Sequence, residues 1–185
     1  MRIADLHPED EKAIRHAAEL LVEGFRLNWP DAWPDLDSAL KEVNASFGPQ
    51  RITRVALDEA EEVLGWIGGI SHYGGKVWEL HPLVVQSDHR GRGIGRALAT
   101  DLEDRVRERG GLTLTLGTDD ESCMTSLGGI DLYPNPLEHL AEIRNLRGHP
   151  YEFYQKLGFV IVGVMPDANG PGKPDIYMAK RIGPG

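Results

Sequence analysis

At 185 residues, with 41% hydrophobic and 26% charged residues, the chain has the composition of a folded globular protein of one domain. No apolar run approaches the roughly 20 residues a membrane-spanning helix requires, so no membrane partner is expected. A net charge of −9 argues against nucleic acid, whose phosphates demand a lysine- and arginine-rich surface, and favours a cationic partner.

Arg2 to Asp5 reads as a short strand, followed after His7-Pro8 by a helix with apolar positions at Ile14, Ala18, Leu21, Val22 and Phe25. The segment Asn28-Trp-Pro-Asp-Ala-Trp-Pro34 breaks that helix with two prolines. A second helix is expected over Leu36 to Ala45, then strands over Arg51 to Leu57, Val63 to Ile70 and Val77 to Val85. Arg90-Gly-Arg-Gly-Ile-Gly-Arg96 opens the next helix, whose residues Ile94, Leu98, Leu102 and Val106 share one face and which Gly110-Gly111 ends. Leu112 to Leu116 reads as a buried strand, and a helix is expected at Leu137 to Leu146. A helix over Tyr151 to Leu157, a strand over Phe159 to Val164, a Gly/Pro loop over Pro166 to Pro174 and a strand over Asp175 to Arg181 complete the pattern. One cysteine, Cys123, excludes an internal disulfide, and the first residues lack a signal-peptide apolar segment, so a reducing cytoplasm is expected.

The glycine stretch carries the most chemistry. Glycines between a strand and a helix let backbone N–H groups line one concavity with no Cβ in the way. The helix N-terminus adds partial positive charge, and Arg90, Arg92 and Arg96 add full charges, so the stretch is suited to a pyrophosphate. Two common phosphate binders are excluded by spacing. A dinucleotide fingerprint needs glycine where Arg96 stands, and a P-loop needs Ser or Thr after Gly-Lys, whereas Gly75-Lys76 is followed by Val77 and Gly172-Lys173 by Pro174.

Arg90-x-x-Gly93-x-Gly95 resembles the acetyl-CoA loop of the GNAT superfamily of N-acetyltransferases. His149-Pro-Tyr-Glu-Phe-Tyr-Gln-Lys-Leu-Gly-Phe159 is similar to that superfamily's C-terminal Phe-Tyr-x-Lys-x-Gly-Phe element. The resemblance covers about residues 50–182. It implies an α/β (α+β) fold with a central mixed, splayed β-sheet flanked by helices on both faces. Residues 1–185 then form a single domain with a specificity insertion at about 118–148. The implied co-substrate is acetyl-CoA, with no metal. Backbone groups of Leu83, Val84 and Val85 would contact pantetheine and the thioester, and the loop Arg90, Gly91, Arg92, Gly93, Ile94, Gly95 and Arg96 would hold the pyrophosphate. Glu79 matches the general-base position of some relatives and Tyr154 the tyrosine that protonates the leaving thiolate, with His81 as a further catalytic candidate.

Glu79 and His81 are two apart on a strand and share a face, so a plain Glu–His pair holding the strand is the alternative reading. Pro82 cannot donate a ladder hydrogen bond, which suits a strand that loses pairing there. One departure from the family pattern is that Arg147 and Pro150 stand where many relatives carry Asn and Ala; Asn145 is the candidate substitute for a pantetheine contact.

Acidic and aromatic residues gather in the variable segments. Trp29, Trp33, Asp119, Asp120, Glu121 and Asp131 are the acceptor-binding candidates, the carboxylates for ammonium groups and the indoles for sugar rings or cations. This pattern resembles the aminoglycoside 6′-N-acetyltransferase branch, where homodimers are frequent. Polyamines, small amine metabolites and protein N-termini are alternative acceptors. A non-catalytic acyl-CoA sensor is a second alternative, against which Glu79 and Tyr154 argue.

Overall fold

The computed structural model describes residues 1–183. Its seven strands follow the order β1-β2-β3-β4-β5-β7-β6, and the chain divides into two compact units, Met1–Leu114 with the segment beginning at Ile182, and Thr115–Arg181.

In the first unit, β1 (Arg2–Asp5), β2 (Arg51–Leu57), β3 (Val63–His72) and β4 (Val77–Val85) form an antiparallel meander. The helix α1 (Glu11–Phe25) starts where the Asp10 side chain accepts from the Ala13 N–H at 3.0 Å. A reciprocal capping box between Asp35 and Ser38 starts α2 (Leu36–Ala45). The buried residues Ile14, Leu21, Val43, Val55, Trp66 and Val84 join both helices to one face of the sheet, and the Trp66 indole N–H is satisfied by Thr53 Oγ1 at 2.7 Å. On the other face lies α3 (Ile94–Glu108). Its Leu98 and Leu102 reach over Gly65 and Gly69 of β3, and Leu98, Leu102 and Val106 are fully buried. Each such side chain contributes roughly 1.5–3 kcal/mol of apolar burial.

One irregularity in β4 positions the chemistry. Ile67 pairs with Leu83 and Gly69 with Leu80, so β4 carries one extra residue, a β-bulge at His81-Pro82. Pro82 has no N–H to offer the ladder there, and Gly68 opposite has no Cβ, which would otherwise collide with the His81 carbonyl oxygen. The extra residue switches the face of the strand. Trp78 and Val84, both at even positions and both buried, therefore point opposite ways: Trp78 to Gly69 beneath α3, and Val84 to Gly24 of α1.

The strand β5 (Thr113–Asp119) begins at the end of the first unit and runs on into the insertion; in the second unit the hairpin strands β6 (Val160–Met165) and β7 (Asp175–Arg181) pair antiparallel. The insertion folds back on itself. Thr125 bridges Asn145, Ser126 N–H donates to Arg144 O at 3.0 Å, and the N–H groups of Leu146 and Arg147 donate to Met124 O at 2.8 and 3.0 Å. These pairings draw residues 144–147 out of helical geometry. The helix expected over Leu137 to Leu146 is therefore only α4 (Pro136–Ala141). The terminal helix α5 spans Tyr151–Gln155. Among the described residues, no helix is long and apolar enough to cross a membrane.

Candidate active site

Beyond β4 a short 3-10 turn at Ser87–His89 leads into the glycine loop. Gly91 and Gly93 have φ of 75° and 86°, left-handed values that cost a residue with a Cβ about 1–2 kcal/mol. Both glycines are exposed, and a Cβ on either would meet nothing within 4 Å, so the concave side is open. Gly93 caps α3 without any side-chain hydrogen bond, and the first intrahelical bond runs from Ala97 N–H to Gly93 O at 3.0 Å. The N–H groups of Ile94 and Gly95 lie ahead of that bond and point out of the helix end, as an anion requires. This geometry fits the pyrophosphate of a coenzyme.

The three arginines of the loop divide their work. Arg90 Nε donates to Val85 O at 3.2 Å and its terminal nitrogen to Gly24 O at 3.5 Å, so its guanidinium ties the loop to β4 and α1. Arg92 and Arg96 are exposed beside the open concavity. Leu83, Val84 and Val85 are paired with Ile67, Trp66 and Gly65 of β3.

The face of β4 turned toward α1 and α2 carries Glu79 and His81, both partly buried, but they are not each other's partners. Glu79 Oε2 lies 2.9 Å from His72 Nε2 at the end of β3, and His81 Nε2 lies 3.9 Å from Glu42 Oε1 on α2. The plain Glu79–His81 pair is therefore replaced by two separate His–carboxylate contacts. Next to His81 stands an aromatic row. Trp33 lies 5.9 Å from the His81 ring, Phe25 meets Trp33 edge-on at 4.6 Å, and Trp29 is 5.6 Å from Phe25. The proline-broken segment after α1 thus lays Trp33 beside the bulge. His72 and Glu42 were not legible in the sequence, because only strand register and helix packing bring them to these partners.

In the second unit, Tyr154 sits on α5 between Phe153 and Phe159, at ring distances of 5.1 and 5.8 Å. The ring is only half-buried by surface area, yet burial holds its phenol well above the ordinary value of 10, so the proton stays on the oxygen.

Asp120 is fully buried, and its carboxylate accepts from Met124 N–H at 2.6 Å, Thr125 N–H at 2.8 Å and Thr125 Oγ1 at 2.7 Å. It organises the insertion and offers nothing to a ligand, which corrects its assignment as an acceptor-binding residue. The adjacent Asp119 is partly exposed and accepts from Asn169 Nδ2 at 2.5 Å. Glu121 lies 3.5 Å from Lys173, and Asp131 accepts from Tyr133 N–H at 2.9 Å in an exposed turn.

Asn145 is also committed. It donates to His149 O at 2.9 Å and accepts from His149 N–H at 2.7 Å, clamping the turn before α5, which corrects its candidacy as a pantetheine contact. His149 itself is buried. Its Nε2 lies 3.1 Å from Asp119 O and its Nδ1 accepts from Tyr151 N–H at 3.2 Å, which places the ring proton on Nε2. Burial lowers its pKa from 6.5.

The model of the acetyltransferase (GNAT) family matches residues 15–124. A comparison with curated protein sequences gave no match. Among solved structures, the chain is similar to an aminoglycoside 6′-N-acetyltransferase complexed with coenzyme A, at 45% identity and a TM-score of 0.90, over 100% of this chain and 99% of that one. It is also similar to the aminoglycoside 6′-N-acetyltransferase from Enterococcus faecium, at 45% identity and a TM-score of 0.88 over the same shares. An aminoglycoside 6′-acetyltransferase type Ii is 40% identical, with a TM-score of 0.74 and again 100% and 99% coverage.

Proposed function

This chain belongs to the acetyltransferase (GNAT) family, and from that premise we propose that it transfers the acetyl group of acetyl-CoA to the 6′-amine of an aminoglycoside, a reaction that confers resistance. The observation that carries the reading is the 45% identity, over the whole chain, to an aminoglycoside 6′-N-acetyltransferase complexed with coenzyme A. On this reading residues 1–185 are one catalytic domain, and 118–148 shape acceptor specificity.

Acetyl-CoA, when bound, supplies the acyl thioester; the chain's own residues do the rest. The N–H groups at the start of α3 and the exposed Arg92 and Arg96 hold the pyrophosphate. Glu79 takes the proton that the acceptor nitrogen must lose. A donor on His72 holds one carboxylate oxygen, leaving the other to face the amine. Tyr154 donates to the sulfur as negative charge builds there. Because burial raises its pKa, the phenol stays protonated and available as a donor, and it gives up its proton reluctantly. His81 and Trp33 form the acceptor wall beside Glu79, where a cationic sugar meets an aromatic face. Asp119, Glu121 and Asp131 add acidic character in the insertion.

A cytoplasmic homodimer completes the reading. In support of association, the edge strand β6 exposes Val160 and Val162 at 61% and 58%. Coenzyme A thiol release with kanamycin, tobramycin, spermidine and peptides as acceptors tests the function: turnover with the aminoglycosides alone is expected, and preference for spermidine or peptides overturns it.

A further inference from the structure

Glu42 on α2 lies outside both family motifs and outside the acidic clusters visible in the sequence, yet it stands at the β4 bulge. Its side chain is 29% exposed, and its one ionic neighbour among the described residues is His81, with Nε2 3.9 Å from the carboxylate, beyond hydrogen-bonding range. Among the described residues no hydrogen bond reaches this carboxylate, in contrast with Glu79 and Asp119, which accept from His72 and Asn169, and Asp120, which accepts three. Trp33 also stands beside His81, its ring 5.9 Å away and buttressed edge-on by Phe25. A partly desolvated carboxylate next to an indole and an imidazole is a recognition site for an ammonium group, which the carboxylate bonds and the ring face attracts.

His81 follows Glu79 by two strand positions, a rise of roughly 7 Å. Glu42 meets His81, whereas Glu79 meets His72, so the two carboxylates have different partners. Glu42 is therefore a candidate for an amine of the acceptor other than the one at Glu79.

We propose that Glu42, with Trp33 and His81, binds a second ammonium group of the acceptor, one that is not acetylated. This inference rests on the polyamino-sugar reading above. It explains how a chain with an ordinary surface excess of acid selects acceptors with several charges: the reacting amine goes to Glu79 and a neighbouring one to Glu42.

Calorimetric titration separates the two ideas, using neomycin, which has a 6′-amine, and paromomycin, its 6′-hydroxyl counterpart. In the wild type both should bind. Glu42→Gln should weaken both by about tenfold, the loss expected for one hydrogen bond to a charged group. Glu42→Asp should recover part of that loss, and coenzyme A affinity should not follow it. Unchanged affinity for both compounds overturns the proposal. So does a loss confined to neomycin, which would place Glu42 at the reacting amine. A loss that disappears in the His81→Asn background would make Glu42 a residue acting only through His81, and wild-type protein that binds neither compound also contradicts it. The wider reading fails separately, if the wild type binds neomycin but releases no thiol with it.

Discussion

Two regions of this molecule hold the same residue types and use them in opposite ways. At and beside the β4 bulge, Glu79, His81, His72 and Glu42 are partly or fully exposed and make one ionic contact each, two of them at the 3.9 Å separation of Glu42 and His81. In the insertion and the turn that follows it, Asp120 and His149 are buried, and their acceptors and donors are consumed by backbone and by Thr125. An acid and a histidine whose bonding capacity is spent inside the protein hold its shape. Those with capacity left over, on a face lined by Trp33, can meet a substrate. Substitutions in the two regions should therefore fail in different ways.

The largest expected effect is on turnover. Glu79→Gln keeps the shape and the contact to His72 but removes the base, so kcat should fall roughly 10²–10⁴-fold. Its unfolding free energy should remain within about 0.5 kcal/mol of wild type, as for a substitution outside the core. Steady-state kinetics combined with urea denaturation checks both halves; a variant that unfolds easily would move Glu79 into the structural class.

Asp120→Ala should do the reverse. It strands the N–H groups of Met124 and Thr125 in a closed loop, and a loss of roughly 3 kcal/mol is expected from a buried carboxylate that accepts several bonds. A stable protein with a selectively raised acceptor KM would return Asp120 to the acceptor site.

Tyr154→Phe keeps the ring between Phe153 and Phe159. Removal of a hydrogen bond to a charged sulfur should lower kcat by roughly 10–100-fold, with stability little changed. Full activity would reduce the residue to packing.

The smallest effect concerns pH. Burial lowers the folded-state pKa of His149 below 6.5, so the unfolded chain takes up the proton first as pH falls. The stability His149 contributes is complete above about 6.5 and is lost as pH drops through the depressed folded value. Urea midpoints measured across this range should fall toward acid in the wild type and flatten in His149→Asn.

Much of the frame was legible from local rules. The apolar period of α1 and α3, the proline breaks after α1 and the glycine punctuation before α3 all act within a few residues, so pattern reading located them. The open glycine loop was legible for the same reason. The face switch in β4 was not, because a bulge exists only relative to the partner strand; Pro82 marked the place but not the consequence. The pairing of Glu79 with His72 and of His81 with Glu42 depends on that register and on helix packing. Asp120 looked like its neighbours Asp119 and Glu121 in the sequence, and only the loop closing over it at Met124 and Thr125 separates it from them. The same closure, through Thr125 and Asn145, shortened α4 against its helical pattern.

The central claim, acetyl transfer to a 6′-amine, is tested most directly by coenzyme A thiol release from acetyl-CoA with neomycin and paromomycin, acceptors that differ at the 6′ group alone. Turnover with neomycin and none with paromomycin is the predicted result. Equal turnover with the two would show that another amine is the acceptor, and turnover with neither would contradict the account.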